Sequence, residues 1–164
     1  VFPMLRLIGS CLLVCFSLTT IPFTASAQPA LQFITLGTAS GPDSNGTQAQ
    51  PANALLVGNG VYLVDAGDGA VGQLAKAGVS LRQVKGVFLS HLHFDHTGGM
   101  LAVLGLRTQM EAADTLTVYG PPGTRTLIEG LLAAMAPAMK AANGLDGAHW
   151  TAHITVREIG RAHV

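Results

Sequence analysis

From Leu31 onward, short runs of alternating apolar and polar residues are cut by glycine-rich turns, and stretches with a helical repeat lie between the later ones. Leu31 to Leu36 alternates enough to predict a first strand, and 37–51, rich in Gly, Pro, Ser, Asn and Gln, predicts a loop. Ala54 to Val57 and Val61 to Val64 flank Gly58-Asn59-Gly60, a hairpin signal because tight hairpin turns need positive φ. These two strands should pair antiparallel. After Asp65 come Gly67 and Gly69, then a short helix over 70–77 stopped by Gly78, then a buried strand over 85–90. The pattern next predicts an apolar helix over 99–110, a strand over 115–119 and a long helix over 125–142. Leu127, Leu131, Met135 and Met139 share one face of that helix as core packing, and Pro137 should kink or end it. A loop over 143–147 leads to a last strand, Trp150 to Val156.

The first 27 residues belong to a different class. Arg6 supplies a positive start, Leu7 to Leu18 is apolar but short for a membrane span, and Ala25-Ser26-Ala27 is a small-residue cleavage site. This predicts a secretory signal peptide, a mature chain beginning at Gln28, and a periplasmic or secreted protein with no stable membrane anchor once the leader is cut. Met4 is the start unless Val1 is itself a translated alternative start codon. Both cysteines, Cys11 and Cys15, lie in this leader, so no disulfide supports the mature protein. Nine Lys and Arg balance nine Asp and Glu, and no basic stripe stands out. That counts against nucleic acid as a partner, since its binders carry an electrostatic footprint. The mature chain has room for the core of one domain.

The chemistry concentrates in His91-Leu92-His93-Phe94-Asp95-His96, between the apolar run 86–89 and the turn Thr97-Gly98-Gly99. The ligand types therefore sit at the C-terminal end of a strand, the edge where open α/β sheets bind ligands. His91 and His93, two apart on extended chain, can turn their imidazoles to one side and converge on a metal ion. Asp95 and His96 come after the chain begins to turn and can face a second ion, at the roughly 3.5–4 Å separation of two-metal sites.

With this motif, and with Leu36-Gly37-Thr38, Asn53-Ala54-Leu55-Leu56-Val57, Tyr62-Leu63-Val64-Asp65-Ala66-Gly67-Asp68-Gly69 and Val118-Tyr119-Gly120-Pro121-Pro122-Gly123, the chain resembles the metallo-β-lactamase-fold hydrolases. Their hallmark is His-x-His-x-Asp-His, and the likeness is to the ribonuclease Z and arylsulfatase-like branch, from Leu31 to about Arg157. The resemblance implies an α/β fold, the β-lactamase-like αββα sandwich, of which this chain would carry the first half. It implies a two-ion centre, usually zinc, with manganese or iron as alternatives. His91 and His93 would hold the first ion and Asp95 and His96 the second, with Asp95 also orienting the nucleophile. Bound ions lower the pKa of water to roughly 7 and so generate hydroxide at neutral pH. Asp65 would hold the metal loop from behind, where the family has an acidic residue. A turn or helix-cap role for Asp65 competes with this, although Asp68 is the better-placed cap. His149 and His153 are set aside as ligands, because the family's further ligands fall beyond this chain's end.

The implied function, in the complete protein, is an exported metal-dependent hydrolase of phosphodiester or sulfate esters acting on a small ester substrate. A β-lactamase or lactonase-type acyl hydrolase is the alternative among enzymes, because a fold does not fix a substrate. Outside enzymes, the alternatives are a non-catalytic metal-binding or redox module and an inactive fragment. The expected organisation is a leader over 1–27, the N-terminal part of the fold over 28–157, and a foreign tail over 158–164, whose residues match the translation of a common sequencing-adapter DNA.

Overall fold

In a computed structural model of the chain, residues 31–41, 43, 46–143, 151 and 153–160 are described. The expected leader, His149, Trp150 and residues 161–164 lie outside the described residues. Six strands form one sheet in the order of the chain: β1 (Leu31–Gly37), β2 (Ala52–Val57), β3 (Gly60–Ala66), β4 (Val84–Phe88), β5 (Leu116–Gly120) and β6 (Ile154–Glu158).

The hairpin forms where the glycines demand it. β2 and β3 pair antiparallel with Val57 opposite Gly60, and Gly58 takes a φ of +57°, a left-handed conformation that costs glycine little. β1 joins β2 antiparallel, whereas β3, β4, β5 and β6 run parallel. Parallel neighbours need crossover connections. These are supplied by α1 (Ala70–Lys76) with the 3-10 turn Leu81–Gln83, then by α2 (Phe94–Thr97) and α3 (Met100–Gln109), then by α4 (Thr124–Asn143).

The alternation of the strands sends Val61, Leu63, Leu116 and Val118 to one face, against Leu74 of α1, Met100, Val103 and Leu104 of α3, and Ile128, Met135 and Met139 of α4. Each such burial contributes about 1.5–3 kcal/mol, so this layer dominates the stability. The other face is barer. Phe33 is 61% exposed, and Tyr62, Phe88 and Tyr119 form a row across neighbouring strands, Phe88 stacked on Tyr119 at 4.6 Å and Tyr62 tilted to Phe88 at 6.5 Å. One helical layer on one sheet is the first half of an αββα order.

Two local expectations are corrected and a third is narrowed. Pro137 does not end its helix; α4 continues to Asn143. Proline cannot donate to the carbonyl of Ala133, but both residues lie on the exposed side, where water can serve that carbonyl, while Met135 and Met139 hold the helix to the core on either side. The last strand begins at Ile154, later than expected, and runs to Glu158; His153 precedes it, exposed, its carbonyl accepting from the Leu116 amide at 2.8 Å. Asp68 is not the cap of α1. Gly69 holds that position at a φ of +83°, and the Asp68 amide instead donates to Gln50 Oε1 at 3.3 Å. No helix among the described residues is long and apolar enough to cross a membrane.

Candidate metal centre

The parallel strands end together, so the segments after β3 and β4 meet at one sheet edge. Val64 pairs with Phe88, which brings Asp65 on one strand level with Leu89 and Ser90 on the next. Leu89 is buried and its amide donates to the Tyr119 carbonyl at 2.7 Å, holding the chain to β5 before it leaves the sheet. The chain then stays extended through His93, at φ −61° and ψ 147°, and winds into the single turn of α2. The His93 carbonyl accepts from the His96 amide at 3.0 Å and from Thr97 Oγ1 at 3.1 Å, which fixes that turn.

Close backbone approach locks the loop to the end of β3. The Gly99 amide donates to the Ala66 carbonyl at 2.8 Å. A Cβ on Gly99 would run into the Gly67 carbonyl oxygen, and a Cβ on Gly67 would run into the carbonyl oxygen of Asp95. Only glycine permits either contact.

Asp65 organises the polar interior of this edge. It is 6% exposed and takes a φ of +60°, a left-handed conformation uncommon outside glycine that aspartate tolerates better than most residues. Its Oδ1 accepts from the Ser90 amide at 2.8 Å, and its Oδ2 accepts from the Ser90 hydroxyl and from His96 Nδ1, each at 2.8 Å. Asp65 therefore grips the loop from behind and does not serve the first turn of α1, where no side-chain cap exists. The hydroxyl of Ser90 also lies 2.9 Å from His91 Nδ1.

Of the residues that the sequence singles out, His91, His93 and His96 come together ring on ring. His91 is 4.5 Å from His93 and 4.0 Å from His96 between centroids. Asp95 Oδ2 lies 3.6 Å from His96 Nε2. His153 lies just before β6 and has no part in this cluster. Sequence reasoning did not single out Ser90; its one signal is its place between the buried end of a strand and the first histidine. Phe94 is 78% exposed at the mouth of the loop.

Among the described residues, no group of three or more His, Cys, Asp or Glu side chains is placed to hold a metal ion. The donor chemistry nevertheless fits a divalent ion. Three imidazoles and a carboxylate are the donors that zinc and its neighbours take. With Nδ1 of His96 occupied by a carboxylate, its Nε2 remains for a metal, the arrangement by which ligating histidines are oriented.

A family model for the metallo-β-lactamase superfamily matches residues 47–109, which include the whole histidine loop. The chain is 42% identical over 82 residues to ribonuclease Z of Picrophilus torridus, covering 50% of this chain and 26% of that protein. It is 34% identical over 112 residues to ribonuclease Z of Bacillus thuringiensis, covering 67% of this chain and 36% of that one. Among solved structures it resembles the short form of human tRNase Z, with a TM-score of 0.60 and 25% identity over 77% of this chain and 43% of that chain. The chain thus spans about a quarter to a third of the length of these curated relatives. Fold and sequence agree: the chain has the metallo-β-lactamase fold, with ribonuclease Z among its homologues.

Proposed function

We propose that this chain carries the principal metal-binding loop of a phosphodiester hydrolase. The observation that carries the proposal is the loop itself: three imidazoles and Asp95 gathered at the sheet edge and fastened from behind by Asp65. His91, His93, Asp95 and His96 would hold the ions, zinc in the first instance. When bound, such ions supply Lewis acidity and an activated water for in-line attack on an ester. The residues of this chain do the positioning. Asp65 holds His96 at Nδ1, and the glycine contacts at 67 and 99 fix the loop's height above the sheet.

The substrate we favour is a small phosphodiester, with sulfate esters next. The ribonuclease Z relatives point to phosphodiester chemistry. The even balance of nine basic and nine acidic residues argues against a large polyanion such as RNA. Export through the leader at 1–27 is part of the same proposal, and a substrate outside the cytoplasm fits it. The test is a panel of p-nitrophenyl phosphate diesters, sulfates and acyl esters assayed with zinc or manganese. Turnover of the diesters is the expected result, and turnover of acyl esters alone would overturn the reading in favour of a lactonase-type enzyme.

A further inference from the structure

Asp65 touches one imidazole directly and a second through Ser90, and the hydrogen count of that route has a definite outcome. The carboxylate only accepts, so the Ser90 hydroxyl at 2.8 Å must donate to it, and so must His96 Nδ1. A hydroxyl has one hydrogen. With that hydrogen spent on Asp65, Ser90 Oγ can only accept from His91 Nδ1 at 2.9 Å, and Nδ1 must carry the ring hydrogen. The bare lone pair of His91 is then on Nε2. The Ser90 amide, bonded to Oδ1 of the same carboxylate at 2.8 Å, keeps the hydroxyl from swinging away.

We propose that Ser90 is a positioning residue that relays Asp65 to His91, so that a single carboxylate fixes two imidazoles, His91 and His96, with Nε2 as the free donor atom. The part of this that concerns metal rests on the function proposed above; the placement of the hydrogens does not. A histidine's ring hydrogen is placed by the partner of the other nitrogen, and without a partner at Nδ1 an imidazole favours the Nε2–H form. Such a ring would offer a metal the wrong nitrogen and would have to rearrange before binding.

The experiment is long-range ¹H–¹⁵N correlation on the metal-free full chain labelled at histidine nitrogen, at a pH well above the imidazole range. Both His91 and His96 should show the Nδ1–H pattern. In Ser90→Ala, His91 should move to the Nε2–H pattern while His96 keeps its own, and Ser90→Thr, which restores a hydroxyl, should restore His91. Zinc affinity, read by competition with a chromogenic chelator, should fall about tenfold in Ser90→Ala and recover in Ser90→Thr, the scale seen when a ligand's supporting hydrogen bond is lost. An Nε2–H pattern for His91 in the unsubstituted chain overturns the relay without recourse to any variant. So does a Ser90→Ala spectrum or zinc affinity that matches the original. The predicted spectra with no zinc binding by any form would reject the metal reading instead and leave the relay standing.

Discussion

Asp65 and His96 are 31 positions apart in the chain, yet Oδ2 of one lies 2.8 Å from Nδ1 of the other. The contact ties the end of β3 to the far side of the histidine loop, so the loop's geometry depends on a residue that itself need touch no ligand. Removing the carboxylate should act on metal binding and on stability together.

Asp65→Asn keeps the size of the side chain but presents an NH₂ group where two donors converge. Zinc affinity should fall about ten- to a hundredfold, as for other groups that support metal-ligating histidines. Unfolding in denaturant should show a loss of roughly 1–3 kcal/mol, because a buried group is left without its partner. Unchanged affinity in a chelator competition would show that the loop stands without this contact.

In the complete protein, His93→Ala and Asp95→Ala should abolish the proposed hydrolysis and leave the fold intact. His93 is exposed and Asp95 half-buried, so neither side chain fills the core. Their unfolding free energies should stay within about 0.5 kcal/mol of the original, the usual range for surface positions. Substantial turnover in either variant would remove that residue from the proposed ligand set.

Gly99→Ala places a methyl group against the Gly67 carbonyl. Neither partner is a flexible side chain, so backbone must move, at a cost of about 1–3 kcal/mol. The loop should shift with it. Calorimetry and zinc titration are the measurements, and a variant indistinguishable in both would mean that the two loops are free to part.

Acid should reveal the anchoring of α4. Glu158 Oε1 accepts from the backbone amides of Arg125 at 3.0 Å and Gly123 at 2.9 Å, and the Arg125 amide first of all holds its carboxyl below the ordinary glutamate range. A depressed pKa means that the contribution is present above the unfolded-state value and is lost as pH falls through the folded one. Glu158→Gln should therefore lower the melting temperature at neutral pH and converge with the original chain in acid. Melting curves across that range decide it; a gap that persists in acid would assign the effect to packing.

The leader reading has its own check. Expressed with its first 27 residues in a Gram-negative host, the protein should be recovered from the periplasm with Gln28 at its N-terminus. Full-length protein retained in the cytosol would reject export.

Much of this was legible locally. Gly58-Asn59 marks the hairpin, and Gly78 comes just past the end of α1. The gathering of the three histidines was legible from residue type and spacing. The features that were not legible depend on strands meeting. Ser90 matters because the parallel register sets Phe88 beside Val64, and no window of sequence contains both. That the helix runs on past Pro137 was not legible for a related reason: the cost of proline depends on whether the freed carbonyl faces water, which is a property of the packed helix. The contact of Glu158 with the start of α4 was not legible because its partners, the amides of Gly123 and Arg125, lie 35 and 33 positions earlier.

From β3 to β6 the chain lays each new strand beside the last and never reverses the direction of winding. Doubly wound sheets offer their ligands a ready crevice where the winding turns back and neighbouring loops part to opposite sides. Within the described sheet there is no such parting between β3 and β6, since the helices that join these strands pack into one core. A binding site on this edge must be raised by the loop itself. That is why the segment after β4 carries its own histidines and its own turn, and why it is moored backwards to the strand laid down before it.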